Sequence, residues 1–324
     1  YYFGVTHRNT AITKGITSWR DLRCTATNLG HNGPKISPTI NAILDINRST
    51  DKIRWANKDL KLANSKVCIY MDFETTNISD ADFNMESFIF MIGIGWKVRH
   101  DSKWYYKCLT VKNIDSDNEK EIFLSMHDLI LEILETNNAF NDCVVYHWSH
   151  AEKTFYGNTA EKYHRDMAQY VEYLHWNWFD LCKLFMETPI TVRGALTFSL
   201  KDIARAMFMH GFIETCWPRD GILDGLDAMI KAVECSDDAK SKGISMEQLP
   251  IMKRIIEYNE VDCKVMMEIV EYLATFISSP VISEPIIRKR KLRKPNEIIT
   301  PLDYTPNIEE KNEEPTKRKA APFE

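Results

Sequence analysis

Two stretches place acidic side chains where a stable core has little use for them. In VCIYMDFETT (67–76) a mostly apolar run ends in Asp72, Phe73 and Glu74. Alternation along a strand puts Asp72 and Glu74 on one face and turns Phe73 the other way, toward the core. Adjacent like charges repel unless a cation lies between them, and an all-oxygen ligand set suits Mg²⁺ or Mn²⁺. A solvent-facing pair at a strand exit is the plain alternative. Near the end of the chain, Ile251, Ile255, Val265, Met266, Ile269 and Leu273 form a helical stripe at roughly 100° per residue. Tyr258 and Asp262, four apart and stacked on one face, fall inside that stripe, while Glu257 and Glu260 lie off it. A buried, unpaired aspartate is costly. Asp262 therefore needs a partner, either a basic side chain or a cation shared with Asp72 and Glu74.

Those residues must be held by elements that the hydrophobic pattern makes readable. VCIYMDF is expected as a strand, SFIFMIGIGWKV as a second and KWYYKCLTV as a third, spaced for a meander. Asn118 to Glu135 has helical spacing, CVVYHW reads as a buried strand, Ala151 to Tyr173 as a helix and NWFDL as a short strand. Ser199 caps SLKDIARAMF through a Ser-x-x-Asp start. Met246 to Ile277 reads as one long helix with a break at Pro250. The order implies an α/β fold, a mixed sheet flanked by helices. Before it, 1–65 is expected as short helical pieces broken by Gly and Pro, closing in a polar linker. The main domain spans 66–279, and 280–324, with its charge blocks and prolines, reads as a disordered tail.

The 324 residues are 44% hydrophobic and 27% charged, the composition of a chain that buries a core. Its longest apolar run, FIFMIGIGW, is far short of the roughly 20 residues of a membrane span, so no membrane partner is expected. A net charge of -5 excludes a general polycation, leaving nucleic-acid binding to local basic patches or metal-bridged phosphates. Eight scattered cysteines without a CxxC pair favour free thiols in a reducing compartment, cytoplasm or nucleus, over zinc or disulfides. Tyr1 in place of an initiator Met reads as a fragment.

DFET after a strand, together with YNEVD on a late helix, resembles the DEDD 3′–5′ exonucleases of the ribonuclease H-like (DnaQ-like) superfamily, in their tyrosine variant, DEDDy. HWSHAE (147–152) stands where that family has a His-Asn-x-x-Phe-Asp motif, with Glu152 in place of the aspartate. SLKDIARAMF is similar to the family's Ser-Leu-Lys segment, and YHWSHAEKTF with YNEVDCK looks most like the YprB-type branch, which often accompanies RecB-family nuclease domains. The resemblance covers roughly residues 67 to 277. It implies a ribonuclease H-like fold and a two-metal-ion exonuclease using Mg²⁺ or Mn²⁺. Asp72, Glu74 and Asp262 would hold one ion, Asp72 would bridge to the second, Glu152 would complete the outer shell, and Tyr258 would position the attacking water. The substrate implied is nucleic acid, single-stranded DNA ends ahead of RNA, in a DNA-repair setting. A RecB-family nuclease or helicase domain in the same full-length protein is the implied partner.

Glu152 is one methylene longer than the family's aspartate, and Asp180 in NWFDL is its rival as fourth carboxylate. The departure keeps a second reading open, an inactive nucleic-acid-binding or scaffold module on the same fold. His147 and His150 are further candidates as ligands or bases. Thr75 and Thr76 either contact a terminal nucleotide or cap a turn. Trp55, Trp96, Trp104, Tyr105 and Tyr106 are core more readily than base-stacking platforms. GITSWRDLRCTATNLG is either a helix-hairpin-helix-like phosphate contact or a packing subdomain. RKRKLRK (288–294) is a phosphate contact, a nuclear signal or a solvated linker. Residues 217–250 read as an insertion beside the site.

Overall fold

A computed structural model describes residues 3–55, 62–63, 65–79, 85–99, 101–170, 176–187, 189–218 and 225–275. All of these fall in one compact unit, Tyr1–Pro285. The expected tail (280–324), with its RKRKLRK run, lies outside the described residues.

The chain opens with helices α1 (Val5–Thr13) and α2 (Ile36–Arg48). GITSWRDL between them forms turns, not the expected helical piece, because its carbonyls are satisfied from the side. Arg48 donates to the carbonyls of Trp19, Asp21 and Cys24, and Arg23 to that of Gly15. Both guanidinium groups thus serve the backbone of this subdomain. Ala11, Ile16, Cys24, Ala26, Leu29, Ile40 and Leu44 form its small core, while Ile43, on the same helix α2, joins the main one. The expected linker contains a short strand, β1 (Ile53–Trp55), which pairs antiparallel with a later strand at Ile190–Val192.

The meander follows as β2 (Val67–Ser79), β3 (Met85–Val98) and β4 (Tyr105–Thr110). Helix α3 (Ser116–Thr136) is capped by Asp115, whose carboxylate accepts from Asn118 N. Then come β5 (Cys143–His147), α4 (Ala151–Lys162), β6 (Asn177–Asp180), α5 (Leu181–Glu187) and β7 (Ile190–Val192), the partner of β1. Helix α4 stops at Lys162, well short of the expected Tyr173, and a 3₁₀ turn at Asp166–Gln169 follows. Ser199 caps α6 (Leu200–Met209) as its Ser-x-x-Asp pattern foretold. Helix α7 (Gly225–Lys242) occupies much of the expected insertion. Pro250 does divide the last stretch: Met246–Gln248 is a 3₁₀ turn, and α8 (Pro250–Ala274) begins with proline at its first turn, where the missing N–H costs nothing.

The main sheet has the order β4-β3-β2-β5-β6, with β2, β3 and β4 antiparallel to their neighbours in turn and β5 and β6 parallel additions beyond β2. The fold is α/β with a mixed five-stranded sheet, and β2 lies at its centre. Helix α8 packs across β2 and β3, α7 against β2, and α3 against β3 and β4. Phe73 is buried, as alternation required. Among the described residues no helix is long and apolar enough to cross a membrane. All eight cysteines are free.

Candidate metal centre

The sheet and α8 bring the two acidic stretches together. One carboxylate oxygen from each of Asp72, Glu74 and Asp262 lies within 4.8 Å of the other two. Glu74 and Asp262 are buried and Asp72 half-buried. The helix stripe behaves as its periodicity implied: Ile255, Tyr258, Asp262, Val265, Met266, Ile269 and Leu273 are buried, Glu257 is exposed, and Ile251 is only half-buried.

β2 is irregular where it carries the site. Its pairing with β3 runs Glu74 to Met91 and then Thr75 to Ile89, so Phe90 is an extra residue opposite the Glu74–Thr75 step. Such a bulge twists the ladder and re-aims side chains. It is fastened by Glu119 of α3, whose buried carboxylate accepts from Ile89 N (2.7 Å), the Tyr163 hydroxyl (2.7 Å) and Lys162 Nζ (2.9 Å).

Asp72 is held from the helix side. Asn259 Nδ2 donates to Asp72 Oδ2 at 2.7 Å, and Asn259 Oδ1 accepts from the Tyr106 hydroxyl at 2.9 Å. The approach needs a glycine. Gly93 sits directly opposite Asp72 in the ladder, and a Cβ there would overlap the Asn259 carboxamide.

The electrostatics follow from burial and crowding. Desolvation first, then the charge of Asp262, raises Glu74 to about 8. Desolvation raises Asp262 to about 7, against the opposing field of Lys201. Asp72 is pushed well above the carboxylate range by desolvation and by repulsion from Asp262, Glu74 and Glu152. Tyr258, raised by desolvation and the same carboxylates, keeps its proton, and its hydroxyl lies beside Asp262. The Lys201 ammonium stands 4.4 Å from the Tyr258 ring centroid. Trp217 contributes a buried indole N–H beside Asp262 that makes no hydrogen bond of good geometry.

Glu152 stands outside the three-carboxylate set but borders it, since its charge raises Asp72, Glu74 and Asp262. It is buried in the first turn of α4, with Oε2 3.5 Å from His147 Nδ1 and neither atom in a well-formed hydrogen bond. Asp180 is committed elsewhere: its Oδ1 accepts from Ser149 N (3.1 Å) and Lys183 N (3.0 Å). It thereby holds the left-handed turn at Ser149 (φ 80°) that leads into α4. His147 is buried and His150 exposed. Thr75 is half-buried; Thr76 is buried with an unpartnered Oγ1. The five candidate aromatics are all half-buried, with Trp96 stacked on Tyr105 at 5.3 Å and Trp104 lying over Gly95.

Sequence reasoning missed Asn259, Gly93, Tyr106 as a partner of Asn259, Lys201 and Trp217. Lys201 closes the Ser-Leu-Lys segment (199–201), where its type was a usable signal. The other four act only through tertiary contact. The donor set fits a hard divalent cation: oxygens from two elements almost 190 residues apart converge in a desolvated place, with Lys201 offsetting part of their mutual repulsion. Comparisons of the chain with protein-family models, with curated proteins and with solved structures found no match.

Proposed function

We propose that the protein is a metal-dependent 3′–5′ exonuclease on a ribonuclease H-like fold, hydrolysing phosphodiester bonds at single-stranded nucleic-acid ends. The observation that carries the reading is the convergence of Asp72, Glu74 and Asp262 within 4.8 Å, at the centre of a sheet whose meander is followed by two parallel strands. Asp72, Glu74 and Asp262 would hold one Mg²⁺ or Mn²⁺, and Glu152, with Asp72, would border a second. Such ions supply Lewis-acid activation of the attacking water and of the leaving 3′ oxygen. The chain's own groups do the rest. Tyr258, fixed on α8 and protonated, donates a hydrogen bond and so orients the water; it is no base. Lys201, whose positive charge acts on all three carboxylates, would also attract a phosphate oxygen. Trp217 and α7 wall the carboxylates from bulk water.

Glu152 is also what favours the rival, an inactive nucleic-acid-binding module, because it stands apart from the other three carboxylates. Calorimetry with Mn²⁺ separates the two, followed by incubation of the loaded protein with 5′-labelled single-stranded DNA and RNA. Stepwise shortening of the labelled strand supports the exonuclease, with DNA expected ahead of RNA. A folded protein that takes up no Mn²⁺ at millimolar concentration refutes it.

A further inference from the structure

We infer that Asn259 and Tyr106 form a positioning relay that sets how Asp72 faces a cation. The relay joins three parts of the fold: Tyr106 on β4, Asn259 on α8 and Asp72 on β2, at 2.9 Å and 2.7 Å. Asn259 is fully buried. Its amide NH₂ faces Asp72, the sense that an ionised, cation-bound carboxylate requires, because it only accepts hydrogen bonds. The amide oxygen then faces Tyr106, whose hydroxyl must donate to it.

This arrangement ties down Oδ2 of Asp72 from the helix side. A carboxylate free to rotate would turn away from Glu74 and Asp262, since like charges repel. The relay therefore keeps Asp72 pointing where only a cation makes its position favourable. Without the Tyr106 hydroxyl, Asn259 loses the contact that fixes its sense. Its carbonyl can then swing toward Asp72, replacing a donor with a repelling acceptor. The glycine opposite Asp72 fits the same purpose: Gly93 exists at the one point of β3 where Asn259 must reach the sheet. Residues that orient metal ligands without touching the metal typically change affinity by about 10–100-fold when removed.

The inference rests on the cation reading of the site, and the experiment keeps the two apart. Mn²⁺ affinity is measured by calorimetry on the parent, Tyr106→Phe, Asn259→Leu and the double variant, alongside melting in EDTA. Asn259→Leu is expected to weaken Mn²⁺ binding by about 10–100-fold. Tyr106→Phe, which deletes a single oxygen, is expected to weaken it by roughly 3–10-fold and to have no further effect in the Asn259→Leu background. If the two residues only support the fold, both variants melt lower in EDTA yet bind Mn²⁺ like the parent, and the relay is overturned while the site stands. Additive effects in the double variant overturn it too. If Asn259→Leu fails to fold, Tyr106→Phe alone decides by its affinity. A parent that binds no Mn²⁺ removes both the relay and the metal site.

Discussion

Asp72→Asn distinguishes a residue kept for chemistry from one kept for stability. In the metal-free protein desolvation and the neighbouring carboxylates hold Asp72 well above the usual carboxylate range, so at neutral pH the native state must either protonate it or bear its repulsion from Glu74, Asp262 and Glu152. The unfolded chain pays neither cost. With an unfolded value of 3.8, protonation at pH 7 costs at most about 4 kcal/mol, from ~1.4 kcal/mol per pH unit. Asparagine mimics the protonated carboxyl at no such cost, and its oxygen still accepts from Asn259. If half the bound is realised, about 2 kcal/mol, the substitution raises the metal-free melting temperature by roughly 3–4 °C for a chain of this size, where one degree corresponds to ~0.6 kcal/mol. Mn²⁺ at a hundred times its Kd adds about 2.7 kcal/mol to the parent, or roughly 4–5 °C. It adds much less to the variant, which has lost a ligand. The order of stability should therefore cross: variant above parent in EDTA, parent equal or higher in saturating Mn²⁺, with cleavage lost in the variant throughout. Thermal melts of both proteins by circular dichroism, with and without Mn²⁺, read this directly. A variant that melts well below the parent in EDTA makes Asp72 a structural partner. Equal Mn²⁺ shifts in the two proteins remove it from the ligand set.

Tyr258→Phe should keep the Mn²⁺-induced thermal shift and lose about 100–1,000-fold in cleavage rate, the range of one positioned hydrogen-bond donor; an unchanged rate in single-turnover assays refutes the role. The melting temperature in EDTA should fall as pH rises from about 4.5 to 8, the window between the unfolded and folded values of the raised carboxylates. Raised carboxylates bind protons more tightly in the native state, so the stability held by Glu74 (about 8) and Asp262 (about 7) is present at low pH and lost as pH climbs to 8. Buried His127, lowered to about 4 by desolvation, acts in the opposite sense and costs stability as pH falls below its unfolded value of 6.5. Mn²⁺ should flatten this fall, and a fall that Mn²⁺ leaves unchanged counts against the site. Gly93→Ala should lower the melting temperature by several degrees and weaken Mn²⁺ binding together, because the added methyl displaces Asn259; retained Mn²⁺ affinity measured by calorimetry would sink that account.

What could be read from the sequence divides along a physical line. Strand β2, strand β3 and helix α8 are long and periodic, and period alone places Asp72 with Glu74 and Tyr258 with Asp262 on shared faces. Short elements escape this test. β1 and β7 have three residues each, too few for alternation to register, and they exist because they pair with one another across about 140 residues. The boundary of α4 was overrun because apolar residues continue past Lys162. Those residues, Tyr163, Met167 and Tyr170, are buried from a turn and a 3₁₀ segment, where helical spacing carries no information.

The site divides in the same way. Carboxylates announce themselves, since a charge on an apolar stripe is an anomaly wherever it occurs. Asn259 sits beside Tyr258 in YNEVD and carries no charge. Nothing in its local sequence separates a solvated asparagine from one that reaches across the sheet to Asp72. Its role becomes visible through what is absent from another strand, the side chain of Gly93. A glycine within FIFMIGIGW weakens a strand and needs a reason. Gly95 has one in Trp104, whose indole lies where a side chain would be, and Gly93 has one in Asn259. The two glycines are therefore the sequence's own trace of the tertiary contacts at the centre of the sheet. One admits a core tryptophan. The other admits the amide that holds the first carboxylate of the proposed metal centre, which makes the backbone of β3 as much a part of that site as the acids it faces.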